Sequence, residues 1–236
     1  MLSVYSGFVA GTVCDVGQFK DVEYLASFAQ DQFGGSTPRR AIDIWINNAG
    51  QSQDSLQALA DVDAAVIQSI IQTNLMGTLF GTKVATQVME EQSEGGHIFL
   101  MEGAGSNGMV TAQFATYGVS KAGFPQLLKS LVKENRSSKV GIHALSPGMV
   151  ITDLLMKSPP NSIEEAAKRP YRIFNILAEK PSTVASWLVP RIEGATRPGS
   201  TGTAHRYLTP LGVVWRFLTF FTRRNRLIDE KTGRIL

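Results

Sequence analysis

An α/β chain with a parallel sheet and helices on both faces is what this sequence predicts, and two observations predict it. Short apolar runs rich in β-branched residues alternate with longer stretches of helical spacing, which is the pattern of βαβ units. Three of those runs end in turns built from Asn, Gly, Ser or Pro. Right-handed crossovers then gather the turns at the carboxyl edge of the sheet, where ligands bind. The 236 residues suit one domain, or one domain with a tail, and 43% apolar against 18% charged residues supply a sizeable core.

Taken in order, residues 8–16 are apolar, β-branched and end in Asp15-Val16, so a buried strand is expected there. Residues 20–33 carry apolar side chains at helical spacing and stop at Gly34-Gly35. Residues 41–46 form a short strand running into Asn47-Asn48-Ala49-Gly50. Residues 63–91 predict one long helix, with Gly77 and Gly81 permitting close packing. A strand over residues 97–101 precedes a glycine-rich loop at 103–108. A helix begins near Phe114, and Pro125 is expected to kink it just past Lys121. The strand at residues 140–145 ends at Ser146-Pro147-Gly148. Beyond it come a Pro/Ser turn at 158–162 and a Gly/Thr-rich loop at 194–202. The division that follows is a reductase-sized domain over residues 1–204 and a basic, aromatic tail over residues 205–236.

Several classes are set aside by the bulk properties. A net charge of +3 is too weak to argue for nucleic acid. The charge is uneven, because the tail holds seven Lys or Arg and two acids, a balance of 7 − 2 = +5. The single cysteine, Cys14, allows no intramolecular disulfide and sits in an apolar run as an inert thiol. Residues 1–11 do not read as a secretory signal, and no run of about eighteen apolar residues predicts a membrane span. His143 reads as a core histidine inside a strand, and no protein-bound metal is expected.

The chemistry centres on Tyr117 and Lys121, four apart and therefore on one helix face. A phenol titrating near pH 10 is a poor acid at neutrality, and a nearby ammonium favours the phenolate. Such a pair is suited to handing a proton to a carbonyl oxygen as hydride reaches its carbon. By itself the spacing fits a surface tyrosine and a solvated lysine equally well. Asn47-Asn48-Ala49-Gly50, Asn74 in Asn74-Leu75-Met76-Gly77, and Pro147-Gly148-Met149-Val150-Ile151-Thr152 change that weighting, because all occur in order around the pair.

In that order these motifs resemble the short-chain dehydrogenase/reductase family from its third strand onward, which implies a Rossmann-like sheet. The resemblance implies Tyr117 as general acid, Lys121 as the lysine that holds the nicotinamide ribose and lowers the tyrosine pKa, and Asn74 as the residue ordering a relay water. It places Asp15 at the adenine amino group with Val16 beside it. Asn48, Ala49 and Gly50 lie on the ribose side, and Val150 and Thr152 at the carboxamide. Asn47 is expected to tie neighbouring strands. The family's carbonyl-polarising serine commonly stands thirteen residues before the tyrosine, where this chain has Ala104. Ser106, eleven before Tyr117, is the candidate in its place. The family's first two strands and its glycine-rich pyrophosphate turn, Thr-Gly-x-x-x-Gly-x-Gly, are missing. Residues 8–16 are thereby left without a neighbour in their usual place, and this chain alone is expected to bind NADPH weakly.

Within the family, three stretches resemble the chlorophyll b reductase branch: Gly95-Gly96-His97-Ile98-Phe99-Leu100-Met101-Glu102-Gly103-Ala104-Gly105-Ser106, then the run from Leu145 through Leu155, then Tyr207-Leu208-Thr209-Pro210. That branch implies reduction of the C7 formyl group of chlorophyll b to hydroxymethyl, using NADPH or NADH, in the chloroplast. It implies chlorophyll b or chlorophyllide b, light-harvesting antenna complexes and the thylakoid surface as partners, with homo- or hetero-oligomeric assembly open. Two alternatives stand beside it: a reductase of another apolar carbonyl (sterol, quinone or acyl), and a non-enzymatic pigment- or complex-binding scaffold. In the tail, Leu211-Gly212-Val213-Val214-Trp215-Arg216-Phe217-Leu218-Thr219-Phe220-Phe221 precedes Arg223, Arg224 and Arg226. It reads as a helix lying in a lipid interface with arginines on anionic head groups, or as a terminal helix packed on protein.

Overall fold

A computed structural model describes residues 8–33, 42–156 and 171–236. Among them four parallel strands form one sheet in the order β1 (Ile44–Asn47), β2 (Gly96–Met101), β3 (Val140–Ser146), β4 (Ala204–Arg206). Every strand therefore delivers its following loop to the same edge.

Side chains alternate across β2 and β3, and the two faces are covered by different helices. Ile98, Leu100, Ile142 and Ala144 pack on Ala85 and Met89 of α3 (Gly77–Glu91) and Leu128 of α5 (Phe124–Glu134). Phe99 and Leu145 face the other way, onto Val184 and Leu188 of α8 (Pro181–Ala195). Helices on both faces are thus confirmed. On the first face, α1 (Phe19–Phe33) lies against α3, burying Val22 and Ala26 on Val84.

The expected strand at residues 8–16 does not form. No strand is assigned there, and Phe8, Val9 and Val13 are exposed, Val13 to 93%. The reason is geometric, because a strand needs a partner ladder and β1 is already the sheet edge, with Ile44 and Ile46 half-exposed along it. Between that edge and α1 lies a largely apolar cavity of about 540 Å³.

The long helix expected over 63–91 is three pieces. Asp63 caps α2 (Ala64–Ile71), its carboxylate accepting from Ala65 N at 2.7 Å. A π-turn at Gln72–Met76 follows, and then α3. The helix carrying Tyr117 is interrupted just past Lys121, as Pro125 predicts: α4 (Ala115–Ala122) ends, and Pro125 sits in the first turn of α5.

Among the described residues, three helices and one strand beyond residue 152 were not foreseen: α6 (Asp153–Met156), α7 (Tyr171–Leu177), α8 and β4. The turn expected at 158–162 lies outside the described residues. The boundary placed at residue 204 falls inside β4, which pairs Ala204 with Ala144. In the tail, α9 (Pro210–Leu218) is capped by Thr209, whose hydroxyl accepts from Gly212 N at 3.1 Å.

Candidate active site

Tyr117 and Lys121 sit one turn apart on α4 at the carboxyl edge of the sheet. The Tyr117 ring is half-buried and stacks on Phe114, with centroids 4.8 Å apart. Its hydroxyl reaches Gly103, in the loop leaving β2: a Cβ built on Gly103 would lie 2.5 Å from the phenol oxygen. Lys121 is buried; its ammonium donates to Met101 O at 3.1 Å and lies 4.5 Å from the centre of the Phe124 ring.

The electrostatics differ from the expectation on one point. Burial raises the Tyr117 phenol above its ordinary pKa, so here the proton is held more tightly, not less. Lys121 loses its own charge more readily, because burial lowers its pKa to about 8. The ammonium is turned toward Met101 O and the Phe124 ring, and desolvation of the phenol wins. A tyrosine held protonated is an acid, which is the role a carbonyl reduction asks of it.

Asn74 lies in the π-turn, fully buried. Its Nδ2 donates to Gln51 O and Ser120 Oγ, both at 2.9 Å, and its Oδ1 accepts from Gln51 N at 2.8 Å. Ser120 Oγ in turn donates to Tyr117 O at 2.7 Å. Asn74 and Tyr117 are therefore joined through Ser120, a residue the sequence reading passed over. Its position within the Tyr117–Lys121 helical turn was the available signal. π-turns recur at functional sites because they displace one residue from the helical ladder.

Ser106 is buried, and its hydroxyl is engaged. It accepts from Gly103 N and donates to Lys121 O, both at 3.1 Å. A serine hydroxyl has one proton, and here that proton goes to the backbone of α4. In this arrangement Ser106 holds the Gly103 loop against α4 and offers no proton to a carbonyl oxygen. Glu102, without an assigned role from sequence, is buried and takes a bidentate pair from Arg206, joining the ends of β2 and β4. Gln53 is likewise new: its amide donates to Gln113 O at 2.8 Å and holds that residue, at φ 61°, just before α4.

The cofactor candidates fall into three groups. Val16, Asn48 and Ala49 line the cavity beside β1, with Asp15 adjacent and exposed, its carboxylate accepting from Gly17 N. Gly50 stands between Asn74 and Lys121, since a Cβ there would lie 3.5 Å from Asn74 Oδ1 and 3.7 Å from Lys121 Nζ. Val150 bridges to Glu179, and Thr152 is exposed at the start of α6. Asn47 ties β1 to a helix, not to a neighbouring strand: its Nδ2 donates to Thr82 Oγ1 of α3, and its Oδ1 accepts from Trp45 Nε1.

A nicotinamide dinucleotide fits these residues at its ribose end. The missing side chain at Gly50 leaves ground between an amide and an ammonium, and the one hydrogen bond of Lys121 leaves two N–H groups for ribose hydroxyls.

Residues 4–162 match the family of short chain dehydrogenases. The chain is 43% identical, over 94% of its length, to a protein of Oryza sativa subsp. japonica described as a probable chloroplastic chlorophyll(ide) b reductase, and 41% identical, over 97%, to one so described from Arabidopsis thaliana. It spans only about two fifths of each, 41% and 42%. A second rice chlorophyll(ide) b reductase is 39% identical over 94% of this chain and 63% of its own. Among solved structures, a short-chain dehydrogenase/reductase from Mycobacterium marinum superposes with a TM-score of 0.63 at 22% identity, covering 82% of this chain and 71% of that one. The ligand-free aldohexose dehydrogenase of Thermoplasma acidophilum gives 0.65 at 20%, covering 83% and 75%. At such identities the two structures speak to the fold alone.

Proposed function

Since this chain belongs to the short-chain dehydrogenase/reductase family, we propose that it carries the acid and the ribose-binding lysine of an NAD(P)H-dependent reductase acting on the C7 formyl group of chlorophyll b or chlorophyllide b. The observation that carries the reading is the convergence at one sheet edge of Tyr117, Lys121 and Asn74, tied through Ser120 and crowded against Gly103. The substrate is argued from the likeness to chlorophyll(ide) b reductases across nearly the whole chain.

In this reading Lys121 and the backbone at Asn48–Gly50 hold the nicotinamide ribose, Asp15 and Val16 the adenine side, and Val150 and Thr152 the carboxamide. When bound, the cofactor supplies the hydride. Tyr117 donates its phenolic proton to the formyl oxygen as that oxygen gains charge, and its raised pKa keeps the proton available at neutrality. Asn74, with both N–H groups bound, keeps one lone pair on Oδ1 to orient a water that returns the proton. The reaction takes place in the chloroplast, at the thylakoid surface where antenna complexes hold the pigment.

The test is product formation. Chlorophyllide b is incubated with NADPH or NADH and the protein. Chromatography should show the 7-hydroxymethyl product. Turnover of other apolar aldehydes without turnover of the pigment would overturn the substrate assignment and leave the reductase standing. Cofactor binding without turnover of any carbonyl would overturn both.

A further inference from the structure

Helix α9 is built inside out. Its one charged residue, Arg216, is buried, while Leu211, Val214, Trp215 and Leu218, spaced i, i+3, i+4 and i+7, are exposed to 83, 56, 66 and 66%. A helix at the surface of a soluble body normally shows the reverse. Phe221, just beyond its end, is exposed to 65% and extends the ridge.

The tail arginines explain how this orientation is held. Glu179 is buried and receives Arg216 at 3.1 Å, Arg226 at 2.8 Å and Arg223 at 3.6 Å. The same three guanidiniums donate to the carbonyls at the end of α7: Arg216 to Leu177 O, Arg223 to Ile176 O and Arg226 to Ala178 O. Two of the three arginines read from sequence as head-group ligands, Arg223 and Arg226, are thus tied inward, and Arg224 alone is free at the surface. One carboxylate offsets one of three guanidiniums, so a charge of +2 remains beneath the ridge. Glu230, whose carboxylate accepts from Asn175 Nδ2 at 3.3 Å and Asn225 N at 3.5 Å, offsets one more, while exposed Arg224 and exposed Arg172, the latter stacked on Phe220 at 5.2 Å, add two, so this side stays positive.

We propose that this ridge seats the protein on an anionic bilayer surface, with α9 lying in the plane of the interface. Side chains more than half exposed stand proud of the body and do not line a cleft, so they suit a surface that yields around them. The underlying positive charge complements acidic head groups and no neutral partner. Nine residues of helix, roughly 14 Å long, are too few to cross a bilayer but enough to lie along it. The inference does not depend on the reductase reading, and its test needs no activity.

Flotation on phosphatidylglycerol vesicles and on phosphatidylcholine vesicles decides it. The protein should float with the acidic vesicles at low salt and weakly or not at all with the neutral ones. A Leu211→Ser, Trp215→Ser, Leu218→Ser variant should lose at least tenfold in partition while keeping its circular dichroism and melting temperature. An Arg172→Glu, Arg224→Glu variant, which leaves the ridge intact, should lose about tenfold on acidic vesicles only. No flotation of the parent on acidic vesicles, or equal flotation of the parent and the serine variant, overturns the proposal. So does a two-chain mass in sedimentation that the serine variant reduces to one, because the ridge would then be a contact between copies.

Discussion

The Tyr117 phenol occupies the space a side chain on residue 103 would need, 2.5 Å from the Cβ position of Gly103. Gly103 does not adopt a left-handed φ, so the glycine is there for room and not for backbone freedom. Gly103→Ala should therefore leave the fold nearly intact, costing about 1 kcal/mol, while swinging the phenol away. We expect at least a tenfold loss in kcat with a smaller change in KM. Unchanged kcat would show that the phenol does not act from this position.

Tyr117→Phe removes the proton and keeps the ring that stacks on Phe114. A loss of about 10² to 10⁴ in kcat is expected from the missing acid, with the melting temperature held. Substantial turnover by the phenylalanine variant in a steady-state assay would sink the catalytic assignment.

The pH profile should carry the signature of Lys121. Burial lowers its folded pKa to about 8, so the charge proposed to hold the ribose is lost as pH rises through 8. The apparent KM for cofactor should climb above that pH, well before an ordinary lysine would titrate. The linked effect on stability has the opposite direction. A folded pKa below the unfolded one means this group's contribution is present above about 10.5 and is lost as pH falls toward 8. A cofactor KM that stays flat to pH 9.5 would contradict the ribose role.

A chain of imidazoles crosses the sheet beneath α8. His97 Nδ1 meets His143 Nε2 at 3.0 Å, His143 Nδ1 meets Thr203 Oγ1 at 2.7 Å, and Thr203 meets His205 Nε2 at 3.2 Å. Burial first, then His97 and His205, lower the His143 pKa to about 4, and burial lowers that of His205 as well. The folded chain thus binds fewer protons than the unfolded one between about pH 4 and 6.5. Stability present above pH 6.5 should be lost across that window, by up to roughly 3 kcal/mol. Urea unfolding at pH 7.5 and 4.5 measures it. A His143→Phe variant should show a flatter dependence, and an equal slope in the variant would remove His143 as the cause.

Glu179→Gln leaves three guanidiniums without their counter-charge at a buried site. Removing one partner of a buried ion pair costs about 3 kcal/mol. The tail from Arg216 onward should loosen first. Trypsin should cut at Arg223, Arg224 and Arg226 in the variant well before it cuts the parent, and equal cleavage would show that the cluster does not hold the tail.

Much of the site was legible because it is local. Tyr117 and Lys121 share a helix face by spacing alone, and Pro125 marks the break in that helix by its missing N–H. Asn48, Gly50, Gly103 and Pro147 follow strands, and parallel pairing brings all such loops to one edge. The π-turn around Asn74 left no trace in the hydrophobic period, because one inserted residue barely shifts it. Nor was the strand at residues 8–16 separable from its pattern. Val9 and Val13 have the composition of a buried strand, but composition carries no partner ladder, and in this structure they stand in solvent.

Residue order by itself determined the alternation of strands and helices, the parallel sheet that alternation requires, and the set of side chains delivered to its carboxyl edge. These follow from periodicity and connection handedness, which are properties of neighbours along the chain. Where each proton and charge resides was decided by tertiary structure alone. The Ser106 hydroxyl faces the Lys121 carbonyl, the Tyr117 phenol is desolvated against Gly103, and Arg216, Arg223 and Arg226 close on Glu179 from as far as 47 positions away. Hydrogen bonds and desolvation depend on what packs within a few ångströms, and in a folded chain those neighbours are mostly distant in sequence.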